Sequence, residues 1–293
     1  MNKRESELSE RLREVYCGIL HGNQAFHDGE QIEFSYLFDC PDYAILRERY
    51  SIERIAGKGG DFERAKALTR WLQPKLAHKG DYDNHISCNA LSLLEYSFER
   101  PAFGINCAAK AETLVECCLA LGIYARRLGL YPNSPYDTDN HVVVEVFDRR
   151  RRKWIVLDPT SGGYFTDGTQ PLSALEARGR FAALAPCSIL LPRRSARDME
   201  ALVRRNTEWN VYYAKNLFLL SVEIASGSGA KGGTAFLSPH DFSVREWRKR
   251  NLSYRIEVAE RCGMQEAAAK LREAAAEEYE PRIGSLKMWE PPI

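Results

Sequence analysis

The sequence predicts an α+β fold: a helix that opens on a cysteine, packed on an antiparallel sheet, with helical additions at both ends. Three observations predict it. Apolar residues recur at helical spacing directly after Asn106-Cys107. Two β-rich runs, 141–147 and 152–158, flank a loop of hairpin length. Amphipathic stretches then occupy both ends of the chain, and runs of helix separated from runs of strand mark the α+β class.

Taken in order, residues 1–58 join an amphipathic start (Leu8, Leu12, Val15, Tyr16, Ile19) to an aromatic segment with Phe34, Tyr36 and Phe38. Gly59-Gly60-Asp61 is a break, with Asp61 the expected N-cap of a helix carrying Phe62, Ala65, Leu68, Leu72 and Leu76 on one face. A short helix from Asn89 to Tyr96 follows the polar turn at 81–85. In the cysteine helix Ala111, Leu114, Val115, Cys118 and Leu119 form the apolar stripe, and Gly122 ends it. A strand at 123–130 and the hairpin come next. Ser226 to Gly233 is Gly/Ser-rich and is expected to be a surface loop. Residues 241–262 have an amphipathic helical pattern. Gln265 to Tyr279 is Ala/Glu-rich with a thin apolar face, as in a peripheral packing helix. The expected organisation is an N-terminal helical extension (1–58), a core (59–200) and a largely helical C-terminal extension packed on it (201–293).

The chemistry concentrates in Gly104 to Thr160. Asn106 is a good N-cap, which puts Cys107 in the first helical turn. Free backbone N–H groups and the positive end of the helix dipole favour a thiolate there, and they can also stabilise an oxyanion. With Asp148 to Arg151 as a four-residue loop, the strands pair Phe147 with Arg152, Glu145 with Trp154 and Val143 with Val156. His141 then falls opposite Asp158, within reach of a His–carboxylate hydrogen bond. Val142, Val144, Ile155 and Leu157 share the other face, as a core needs. A thiol, an imidazole and a carboxylate so placed are the groups needed for acyl transfer through a thioester: nucleophile, proton shuttle and orienting acid. Asn106, His85 and Asn89 are further candidates for oxyanion or substrate contacts.

These residues resemble the transglutaminase-like superfamily, relatives of papain-type proteases, in a bacterial-type form. The resembling positions are Gly104-Ile-Asn-Cys107, the helix running to Ala120-Leu-Gly-Ile-Tyr-Ala-Arg126, Asn140-His141, and Trp154-Ile-Val-Leu-Asp158-Pro-Thr160, within roughly residues 60–165. The resemblance implies a transglutaminase-like/papain-like core and assigns Cys107, His141 and Asp158 as a catalytic triad. It implies a peptide or small amide as substrate, with water or an amine as acyl acceptor. Two features depart from the mammalian-type enzymes. Ala108 stands where they carry Trp after the nucleophile, and the acidic turns 81–84 and 137–140 lack the Gly and distal Glu of a calcium loop. Nor is there a Cys-x-x-Cys for the zinc module usual in related peptide N-glycanases.

Composition narrows the field. Forty-one basic against 40 acidic residues give a formal charge of +1, which offers no electrostatic case for nucleic acid. The basic run Arg149–Lys153 reads as a solvated hairpin tip. Eight scattered cysteines show no disulfide framework or metal spacing, so no metal or cofactor is expected. The N-terminus has no apolar signal core, and the greasy run Phe181–Leu191 is too short and Pro-interrupted to cross a bilayer. A cytoplasmic protein without membrane or nucleic-acid partners is the expectation. The rival to an enzyme is a non-catalytic interaction domain on the same scaffold.

Overall fold

A computed structural model describes residues 3–191, 199–228, 230 and 232–292. The first helix, α1 (Lys3–His21), is followed by a two-residue strand, β1 (Ser35–Tyr36), and by α2 (Pro41–Tyr50), α3 (Ile52–Ala56), α4 (Asp61–Leu72) and α5 (Ala90–Glu99). The cysteine helix is α6 (Cys107–Leu119). After it come β2 (Ala125–Tyr131), β3 (His141–Asp148), β4 (Lys153–Asp158), β5 (Gly163–Thr166), α7 (Ala174–Ala182) and β6 (Ser188–Leu190). The remainder holds α8 (Met199–Asn216), β7 (Leu219–Glu223), β8 (Ala225–Ser226), β9 (Thr234–Leu237), α9 (Val244–Arg261), α10 (Gln265–Ala276), β10 (Arg282–Ile283) and a 3-10 turn at Leu286–Trp289. The α+β class and the packing of the cysteine helix on an antiparallel sheet are as expected.

The main sheet has the order β10-β9-β7-β2-β3-β4-β5-β6, antiparallel except for the β10–β9 pair. Strand alternation divides the interior in two. Ala125, Val144, Val146, Ile155 and Leu157 join the core under α2–α6. Leu128, Leu130, Val143, Val156, Leu220 and Val222 join the core that includes residues of α1, α7 and α8. Because the sheet is covered on both faces, α6 is central: every residue from Ala109 to Leu119 is buried.

Several local expectations are corrected. The hairpin loop is Arg149–Arg152, one residue later than expected. Asp148 stays in the strand opposite Lys153, its carboxylate accepts the Arg151 N–H at 2.9 Å, and Arg152 takes a left-handed φ of 54°. Phe147 therefore faces Trp154, and Glu145 faces Val156. The slide is two residues in register, so every side chain keeps its face. By continuation His141 and Asp158 become diagonal neighbours rather than a directly opposed pair. The basic tip is not simply solvated: Arg149 clamps Asp61 through two bonds of 2.8 and 2.6 Å, and Arg151 reaches Asp148 and Glu63. That clamp takes the Asp61 carboxylate, so Gly60 is the N-cap of α4 and no side chain caps it. Leu76 lies beyond that helix but is still in the core.

The C-terminal third holds the helices α8, α9 and α10, but it is also built into the sheet, which the expectation of a helical extension did not include. It supplies β7, β9 and β10 to the same sheet as the hairpin, and β8 pairs with β1. The expected boundary near 200 falls beside residues 192–198, which lie outside the described set, as do 229 and 231 of the Gly/Ser-rich loop.

Candidate active site

The turn before α6 is built by close packing. Ile105 bridges the segment 77–79, donating to the Ala77 carbonyl at 3.0 Å and accepting from the Lys79 N–H at 3.1 Å. A Cβ on Gly104 would lie 2.8 Å from the His78 carbonyl carbon and from Lys79, so only glycine fits there. Asn106 is extended (φ −77°, ψ 175°), and its Oδ1 accepts the Ala109 N–H at 2.9 Å. That cap leaves Cys107 as the first residue of the helix, half-buried, in the position the sequence suggests.

His141 opens β3, and Asp158 closes β4. His141 Nε2 lies 3.3 Å from Asp158 Oδ2, an oblique ion-pair approach, with both side chains buried. This leaves Nδ1 free of the carboxylate, and the His141 side chain acts on the Cys107 thiol both as a side-chain partner and as a charge. The Asp158 carboxylate is held firmly. Oδ1 accepts the Thr160 N–H at 2.7 Å, and Oδ2 accepts the Ser161 N–H at 3.1 Å and the Tyr213 hydroxyl.

Burial alone would push the Cys107 thiol up and the His141 imidazolium down. For Cys107, the His141 hydrogen bond and charge and the Val142 N–H outweigh burial and lower its pKa. For His141, burial is likewise overcome, by Asp158 and then Cys107, and its pKa is pushed up to about 10. Asp158 is held well below the usual carboxylate range: burial opposes ionisation, and His141, Tyr213 and Ser161 reverse it. All three directions favour a thiolate–imidazolium pair beside a carboxylate.

The remaining candidates are placed differently. Asn106 is spent on the cap, and its Nδ2 donates to Asn84 Oδ1 at 3.0 Å. Asn89 caps α5 by accepting the Ser92 N–H at 2.9 Å. His85 pairs with Asp83 and packs against Tyr82 and Tyr96. No contact of either of the last two with Cys107 is made; Asn89 Oδ1 is taken by its cap and His85 Nδ1 by Asp83. The acidic turn at 137–140 is likewise occupied: Lys215 lies 2.9 Å from Asp137 and 3.3 Å from Asp139. Among the described residues no group of three His, Cys, Asp or Glu side chains is arranged to hold a metal, and no helix is long and apolar enough to cross a membrane.

Sequence reasoning missed α8. Its Trp209, Tyr212 and Tyr213 rings surround the His141 imidazole at centroid distances of 5.8, 5.5 and 5.8 Å. Tyr212 Oη also sits 3.0 Å from the Asn140 carbonyl, tying the entry to β3 onto that helix. The available signal was Trp209-Asn-Val-Tyr212-Tyr213, an aromatic cluster beyond the apparent end of the motif region.

Residues 49–159 match the profile of the transglutaminase-like superfamily, so the stretch carrying Cys107, His141 and Asp158 is transglutaminase-like. No curated protein sequence matches the chain. Among solved structures, the chain is similar to a protein from Cytophaga hutchinsonii provisionally designated a cysteine protease. The identity is 20% and the TM-score 0.32, and the match covers 51% of this chain and 47% of that one. The chain thus spans about half the length of that relative.

Proposed function

We propose that this chain is a cysteine-dependent enzyme that cleaves or transfers the acyl group of an amide, through Cys107, His141 and Asp158. The observation carrying the reading is the convergence of three groups from separate elements: a helix-opening thiol, a buried imidazole and a buried, multiply bonded carboxylate. The thiol pKa is lowered while that of the neighbouring imidazole is raised, the directions that a nucleophile and its proton shuttle require.

In this reading the Cys107 thiolate attacks the amide carbonyl, and the Cys107 N–H at the helix start faces the developing oxyanion. The C–N bond breaks as the His141 imidazolium gives its proton to the departing amine, leaving a thioester and neutral His141. Water or an amine then attacks the thioester, His141 takes its proton, and the thiolate departs. Asp158 holds the imidazole by its Nε2 edge throughout, and Tyr213, Thr160 and Ser161 hold Asp158. A peptide or amino-acid side-chain amide is the substrate class this chemistry serves.

The test is an acyl-enzyme trap. Incubation with a pool of peptide amides, an acid quench and peptide-level mass analysis should find the acyl group on Cys107, and Cys107→Ala should not form it. Iodoacetamide at about pH 6 should modify Cys107 ahead of the exposed Cys88 and Cys262, since ordinary thiols ionise near 8.5. A Cys107 that reacts no faster than those two, with His141→Ala making no difference, would leave only a scaffold.

A further inference from the structure

Lys110 is about one turn beyond Cys107 on α6 and only 1% exposed. Its ammonium makes no hydrogen bond, ion pair or ring contact with any described residue, which is unusual for a buried lysine. Side chains on a helix lean toward its N-terminus, and residues three apart share a face, so the Lys110 stem runs back toward the level of Cys107. The groups whose charge it meets are Cys107 on its own helix and Asp158 at the end of β4. His78 stands on the bridged segment 77–79, and its field is shared by Lys110 and His141.

The charges around it supply the missing partner. A thiolate, an imidazolium and a carboxylate sum to one negative charge, on a half-buried Cys107 and a buried His141 and Asp158. We propose that Lys110 is a positioning residue for this site: its buried ammonium is the counter-charge that balances the Cys107–His141–Asp158 cluster and keeps Cys107 as thiolate. The proposal rests on the reading of that cluster as the reacting centre. It accounts for why a lysine occupies a helix position whose neighbours Ala109, Ala111 and Leu114 are apolar and buried. Burial brings the Lys110 pKa down to about 8, with Asp158 and Cys107 working against that fall, so its charge is present at neutral pH and lost just above it.

The experiment follows the alkylation rate of Cys107, at peptide level, from acid to pH 10 in the full chain. Wild type, Lys110→Met, Lys110→Arg and His141→Ala are compared. Met keeps the length and apolar stem of Lys without the charge. In Lys110→Met the acid limb should move up by about one pH unit, that is about tenfold slower alkylation below the limb, and in Lys110→Arg, which keeps the charge, it should stay near that of wild type. A Lys110→Met profile superimposable on wild type would overturn the counter-charge while leaving the Cys107–His141 pair intact. A Lys110→Arg limb displaced as far as that of Lys110→Met would overturn it too, since the charge is then kept and the effect is one of packing alone. If His141→Ala also leaves the profile unchanged, the reacting centre itself falls, and Lys110 with it.

Discussion

Replacing Tyr213 by Phe removes one hydroxyl and leaves the ring where it is, against Phe165 at 4.7 Å and stacked on Trp209 at 5.5 Å. The lost interaction is a buried hydrogen bond to a charged acceptor, Asp158 Oδ2. Such bonds contribute about 1.5–3 kcal/mol, and the lower end is expected because Thr160 and Ser161 still donate to the same carboxylate. With an unfolding entropy of about 2.1 cal/mol/K per residue, a chain of this length loses about 2–5 °C in melting temperature. The deficit has a pH signature. A carboxylate whose pKa is depressed by folding contributes stability that is present above its unfolded pKa and lost as pH falls through the folded one. The gap between wild type and Tyr213→Phe should therefore be full at pH 7 and narrow below about pH 4. Thermal melts at pH 7 and in steps down to pH 3 would measure it. A variant melting within a degree of wild type at every pH would refute the anchoring of Asp158 by α8.

Asp158→Asn should retain the fold but lower kcat by about 10²–10⁴, since nucleophile and base remain while the imidazole loses its orienting charge; steady-state kinetics on any amide found by acyl trapping would check it. The raised His141 pKa contributes stability that is full below about 6.5 and lost as pH rises through about 10, so wild type should weaken across that window in urea titrations and His141→Ala should be flatter there. Glu116 lies buried with its pKa up at about 9, through burial first and then the neighbouring Glu112, whose own charge is paired with Arg127 at 3.0 Å. A raised carboxyl pKa makes stability fall from about pH 4.5 to 9, so Glu116→Gln, whose amide can still accept the Ala90 N–H and donate to Glu112, should stabilise by on the order of 1–3 kcal/mol at pH 7. Arg149→Ala should cost about 0.5–1 kcal/mol in chemical denaturation, and less in high salt, because the guanidinium is more than half exposed.

What could be read from the chain followed from local rules. Asn106 and the spacing after it locate α6, and alternation assigns the hairpin faces. Hairpin register is less legible because it depends on which loop residue turns left-handed, and Arg152 carries no mark of that role. A slip of two residues preserves faces, so the pattern that placed His141 and Asp158 on one side was blind to the error. Strands β7 and β9 lie in the run Leu217 to Ala225 and in Thr234–Leu237; buried on both faces, they show no alternation and are too short to separate from helix ends. The bond from Tyr213 to Asp158 and the burial of Lys110 are made by tertiary packing, and no local pattern announces either.

The strand order also has a consequence for synthesis. β2 is bordered by β3 on one side and by β7 on the other, and Arg126 within it holds Glu145 and the Met288 carbonyl while Trp289 Nε1 donates to Glu145 at 2.9 Å. A ribosome that has released only the first 200 residues has already made the thiol, the imidazole and the carboxylate. It has not yet made the neighbour that covers the open edge of β2, the hydroxyl that steadies Asp158, or the tryptophan that seals the sheet. The three groups therefore precede, along the chain, the segments that border β2 and steady Asp158, and their final arrangement waits on the docking of β7, α8 and Trp289.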